Sequence, residues 1–271
     1  MYLFSVLLKD GVIINKKFTF TPNEFLINVS YEVINNSNNP WEAVLYGQLK
    51  RDSSEDPSAD SGGGMGISPF LGIATTTKDD RFKKIDFDDL EDEKFTNTEE
   101  GGWIAIIQHY FLSAWVPDPK LTQDYTAIHT KSGFNIARFK SPKTIVNAGE
   151  TKTFGADLYV GPKDQYRLAE ISEGLELSVD YGILWWIAQP LFALLHFFAL
   201  GELHVFGKSF SFTNGFGNWG FAIITLTVLI KAGFYRLSAA SYRSMANMRK
   251  MQPEMERLKS LYGDDRQKMS Q

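Results

Sequence analysis

Residues 217–252 read GNWGFAIITLTVLIKAGFYRLSAASYRSMANMRKMQ, and 22 residues without a formal charge separate Lys208 from Lys231. At ~1.5 Å per residue, a helix of roughly 20 such residues crosses the hydrocarbon core of a bilayer. Within it every backbone N–H and C=O is bonded internally, as lipid demands. Trp219 stands near the start and Tyr235 near the end, where interfacial aromatics belong. The stretch predicts a transmembrane helix over 217–238, interrupted late by the cation of Lys231.

Charge is divided about this helix. Residues 1–180 hold 18 Lys+Arg against 27 Asp+Glu, and residues 181–271 hold 10 against 5, so net charges of −9 and +5 sum to −4. A basic flank after a span marks the cytoplasmic side. The C-terminus is therefore expected in the cytoplasm and the acidic N-terminal part outside, in the periplasm of a Gram-negative bacterium. The sequence has no cysteine, hence no disulfide. Met1 to Leu8 is strand-like and followed at once by Lys9-Asp10, unlike a signal peptide. An exported domain without an export signal implies a fragment.

Upstream, the chain reads as β-structure. Residues 25–33 alternate, with Phe25, Ile27, Val29, Tyr31 and Val33 on one face. A turn cluster at 35–40 separates them from a second run at 41–49, which predicts a hairpin. Residues 52–66 are too rich in Gly, Ser and Asp to pack and read as a solvent loop. The acidic segment 86–100 reads as solvated surface, since EF-hand spacing is absent. Residues 103–116, WIAIIQHYFLSAWV, are apolar on both faces, as one central strand would be. Shorter strands near 125–130, 134–139 and 153–160 complete an all-β sandwich, and 163–178 reads as a short helical linker.

A second uncharged run, 181–201, contains Pro190, Trp185-Trp186, Gln189 and His196. Two spans would return the basic tail to the side of the acidic domain. A helix over 180–202 lying in the outer interface fits the charge division better. After the span, Met245, Met248, Met251, Met255, Leu258 and Leu261 recur at intervals of three and four. That stripe predicts one arm of a helical hairpin, bent at Pro253, stopped at Gly263, with Asp264-Asp265 capping the next helix. Its bland alternative is a basic helix resting on anionic lipid.

Lys231 shares a helical face with Gly220, Ile224, Thr227, Phe234 and Ser238. A lysine at membrane depth costs ~2.5–3.5 kcal/mol unless water or a partner meets it. Two readings stand: the stem snorkels to the headgroups, or the small-and-polar stripe lines a wet cavity. For the β-domain a carbohydrate-active enzyme is one reading, with His109 and His129 its candidate bases, and a tethered binding module another. Neither finds a nucleophile elbow, a phosphate loop or metal-ligand spacing in the sequence.

Five motifs, GGWIAIIQHYFLSAWVP (101–117), LYVGPK (158–163), VDYGILWWIAQPLF (179–192), GNWGFAIITLTVLIK (217–231) and SYRSMANMRKMQP (241–253), closely resemble the YidC/Oxa/Alb family of membrane protein insertases. The resemblance implies a mostly β periplasmic domain over 1–178, a β-supersandwich like sugar mutarotases. It implies an interfacial helix over 180–202, the first core transmembrane helix over 217–238 and a cytoplasmic arm over 239–271. A preceding transmembrane helix and four later core helices would be missing. It further implies insertion of membrane proteins without bond-making chemistry, cofactor or metal. The partners implied are nascent membrane proteins, the Sec translocon with its accessory subunits, the bilayer and the ribosome, with no nucleic acid. In the family a basic residue on the first core helix faces a hydrophilic groove. Lys231 occupies that position, keeping the charge of an arginine but not its fork, and Thr227 matches a groove-lining position. Arg236 stands where the family usually has proline.

Overall fold

The computed structural model describes residues 2–8, 10–56, 70–205, 208–211 and 214–262. The chain forms two compact units, Met1–Asp180 and Tyr181–Gln271. Residues 57–66 of the expected solvent loop, and Gly263, Asp264 and Asp265, lie outside the described residues.

The first unit begins with β1 (Tyr2–Leu7), β2 (Val12–Phe20), β3 (Leu26–Asn35), β4 (Trp41–Ala43), β5 (Tyr46–Asp52), β6 (Gly72–Thr75) and β7 (Lys83–Asp86). Helix α1 (Asp89–Asp92) leads to β8 (Phe95–Glu100), β9 (Ile104–Ile107), β10 (Phe111–Pro117) and β11 (Thr122–His129). Then come β12 (Phe134–Lys140), β13 (Thr144–Val146), β14 (Thr151–Pro162) and helix α2 (Gln165–Ile171). Eight strands pair antiparallel in the order β1-β2-β3-β14-β10-β9-β6-β7, and four in the order β5-β12-β11-β8. Ile73, Ile104 and Ile106 of the larger sheet pack against Tyr125, Ala127, Ala137 and Phe139 of the smaller one. Two apolar faces closing on one core make this unit a β-sandwich. Gly101 (φ +67°) and Gly102 (φ +82°) carry the chain from β8 to β9 in a conformation side chains rarely adopt. A Cβ on Gly101 would stand 2.9 Å from the Pro119 carbonyl.

Several expectations are corrected here. The runs 25–33 and 41–49 do not form a hairpin: β3 pairs with β2 and β14, β4 with β13, and β5 with β12. The buried Asn35 carboxamide donates to the carbonyls of Asn39 and Val146 at 2.8 Å and accepts from Ser37, which turns the chain out of the large sheet. Residues 103–116 hold two strands, β9 and β10, paired across a turn where Asp56 accepts the His109 N–H. Both strands are interior to the sheet, so no polar face marks the turn. The segment 163–178 is no linker. Asp164 caps α2 by accepting from Tyr166 N and Arg167 N, and Leu168 and Leu175 are fully buried in the core. In the acidic segment the carboxylates of Asp86, Asp88, Asp89 and Glu91 face solvent, while Phe87 and Leu90 anchor it inside.

The second unit opens with a 3-10 turn, Gly182–Leu184, continuous with α3 (Trp185–Leu200). A short hairpin, β15 (Glu202–Val205) and β16 (Lys208–Ser211), precedes α4 (Trp219–Gly233) and α5 (Tyr235–Tyr262). Phe216 N and Gly217 N donate to the carbonyls of Phe198 and Ala199, returning the chain to the end of α3. Ala199 and Ala222 are fully buried in this unit's interior. The helix expected over 217–238 is broken at Phe234, and α4 and α5 meet at 57°. Proline is not the cause: Gly233, a weak helix former, precedes Phe234 at φ −86°, ψ 2°. Among the described residues Gly182–Leu200 is the one helix long and apolar enough to cross a membrane. The broken pair passes the same test only from Trp219 as far as Pro253. Pro253 itself sits inside α5.

Candidate functional site

Helix α4 starts at Asn218, whose side chain accepts from Gly220 N at 2.8 Å and Phe221 N at 3.4 Å. That cap satisfies two of the donors a helix start leaves open. Ala222 is buried, whereas Phe221, Ile223, Ile224, Val228 and Leu229 are exposed. On this apolar surface Thr227 and Lys231 lie one turn apart on a shared face, both exposed. The Thr227 hydroxyl donates to the Ile223 carbonyl at 2.8 Å, so its hydrogen is bonded within the helix while its oxygen can still accept. Lys231 stands in the last turn, where its charge also opposes the helix dipole. Of the expected stripe, Gly220, Thr227 and Lys231 remain on α4. Ser238 belongs to α5, beyond the break. What the arrangement offers is one cation and one hydroxyl on a single face of a mostly apolar rod, whose second hydroxyl, Thr225, lies off that face, with the cation three residues before a 57° bend.

The β-domain has a cleft of about 760 Å³ between the Gly101–Gly102 turn, the end of β10 and the end of α2. Part of its polar lining is self-paired: Asn28 donates to Asp157 at 2.8 Å, and Arg81 meets Glu173 at 3.1 Å. Neither His109 nor His129 lines it. His129 Nδ1 pairs with Asn135 Oδ1 at 2.9 Å, and His109 stacks on Tyr110. Among the described residues no group of three or more His, Asp or Glu side chains is placed to hold a metal ion.

Burial governs the shifted ionisations of this domain. Burial, helped by Glu99, raises Tyr125 far above the ordinary phenol range. Tyr159 is pushed up to about 12, mainly by burial. The Lys163 ammonium is held below the usual lysine range by burial, with Asp180 drawing it back up. In the sequence Lys163 shows only as a lone lysine directly after the Gly161-Pro162 strand end.

Residues 4–194 match the family of YidC periplasmic domains, and residues 211–271 match the 60Kd inner membrane protein family. The chain belongs to the YidC family. A membrane protein insertase YidC from Alcanivorax borkumensis is 47% identical over 96% of this chain and 45% of its own length. One from Saccharophagus degradans is 48% identical over 97% of this chain and 44% of its own. The chain thus spans a little under half the length of these YidC relatives. Among solved structures, a galactose mutarotase-like protein from Lactobacillus casei aligns with 55% of this chain and 63% of its own, at 10% identity and a TM-score of 0.39.

Proposed function

We propose that this chain is part of a membrane protein insertase of the bacterial inner membrane, working alone or beside the Sec translocon and its accessory subunits. The observation that carries the reading is likeness at 47–48% identity, over nearly the whole chain, to proteins named membrane protein insertase YidC. In this reading residues 1–178 are periplasmic, 180–202 lie in the outer interface, 217–238 hold the core span and 239–271 form the cytoplasmic arm, where nascent chains and the ribosome are met.

Lys231 and Thr227 are the proposed groove residues. Held among apolar side chains and poorly hydrated, the Lys231 ammonium attracts carboxylates in the short translocated tail of a substrate. Thr227, one turn away, offers an acceptor to polar groups passing the same face. The groove shortens the polar path while the substrate's apolar helix slides into lipid. No bond is made or broken.

The test uses the complete protein in a reconstituted insertion assay. Lys231→Arg keeps insertion, because a positive charge stays at the same depth. Lys231→Ala loses it for substrates with acidic translocated tails and affects neutral tails less. Lys231→Glu is worse than alanine, since repulsion replaces lost attraction. If alanine inserts both substrate classes as well as lysine does, Lys231 is a snorkelling residue and the charge mechanism is wrong.

A further inference from the structure

Two of the family motifs, distant in sequence, are joined by a backbone hydrogen bond, and a third opens where the β-domain ends. Motif 101–117 supplies Trp103, fully buried, whose Nε1 donates to the Glu173 carbonyl at 3.0 Å just before the turn Leu175–Ser178. It also supplies the Tyr110 carbonyl, which accepts from Lys163 N at 2.9 Å. Motif 158–163 ends in Lys163 itself, and motif 179–192 begins with Val179-Asp180. Asp180 Oδ2 is 2.7 Å from Lys84 Nζ on β7, and that ammonium also lies 5.1 Å from the centre of the Phe70 ring. The half-buried Lys163 feels Asp180 and Asp56 as opposing charges and Lys84 as a like one. Leu168 and Leu175, both fully buried, fasten the intervening backbone to the core.

We infer that Lys84 is a positioning residue that holds Asp180, the last residue of the β-domain, so that the chain leaves the domain from a pinned end and not from a free tether. The packing of α2 and the turn after it brings the chain to the exit. The Lys84 ammonium then fixes the final residue, which packing alone leaves exposed. The inference concerns the β-domain alone and does not depend on how Lys231 acts.

Amide hydrogen exchange on the full chain in lipid nanodiscs tests it. Leu177 N and Val179 N donate to the carbonyls of Gly174 and Glu176 at 3.2 and 3.1 Å and serve as reporters; Ile106 and Leu112 in the sheet serve as controls. Lys84→Met and Asp180→Asn each speed reporter exchange about three- to fivefold, the factor a half-exposed ion pair provides, while the controls stay unchanged. Added salt speeds the reporters in the unaltered chain and not in Lys84→Met. Exchanging the partners, Lys84→Asp with Asp180→Lys, restores protection, which a change of shape alone would not. Reporter exchange untouched by the single variants, or unrestored by the exchanged pair, overturns the inference.

Discussion

Tyr125 carries its phenol into the sandwich core and donates it to the Gly101 carbonyl, at the turn where the chain changes sheets. Burial disfavours the phenolate, so the folded chain keeps this proton after the unfolded chain, ionising near pH ~10, has released it. Stability is intact below that pH and falls as pH rises through the window up to the raised folded values, with Tyr159 at about 12 adding to the loss. Tyr125→Phe is expected to cost about 1–2 kcal/mol at neutral pH, because a buried carbonyl loses its donor. The same variant should flatten the alkaline decline. Urea unfolding of the full chain in detergent, followed by circular dichroism at pH 7 and above ~10, measures both effects; an equally steep decline in the variant would show that another group titrates. None of this was legible from the sequence. Tyr125 there was one aromatic in a short strand, and its partner is a glycine 24 residues away. By contrast Val29 and Val33, inward by simple alternation, are buried as their spacing implies.

Among the elements, periodicity found strands more readily than it found their partners. Strands β11, β12 and β14 lie where alternation and turn residues put them. The pairing of β3 with β14, more than a hundred residues away, leaves no local trace, and the β9–β10 turn vanished inside an unbroken apolar run. Helix α2 shows the opposite error, since seven residues with a polar start resemble a linker until Leu168 is seen in the core. Leu168→Ala therefore should destabilise the β-domain by about 2–5 kcal/mol, the usual cost of emptying a core leucine site. A linker residue would cost nothing measurable. Thermal unfolding of the β-sheet signal decides between them, and an unchanged midpoint would return α2 to the status of a tether. The broken α4–α5 pair was missed for a related reason: composition registers apolarity across Gly233, not the direction of the axis.

For the whole molecule the open physical question is which apolar helix crosses. Gly182–Leu200 has the length, whereas the 15 residues of α4 reach only ~22 Å against a core of ~30 Å. Length alone would choose the first helix. Charge argues only against both crossing: the −9 of residues 1–180 and the +5 of residues 181–271 ask for opposite sides of the membrane, which one span through either helix provides and two full spans would not. The shortfall of α4 costs only fractions of a kcal/mol per Å, relieved by local thinning or by the first turn of α5 in the headgroups. Pro190 and the exposed Trp185-Trp186 pair suit α3 to an interface. Helix α4 is therefore expected to be the single span. Reporter domains fused after Ser178 and after Tyr262 are expected to report opposite compartments, the first periplasmic and the second cytoplasmic. Both reporters in one compartment would make Gly182–Leu200 a true span and leave the charge division without a topological meaning.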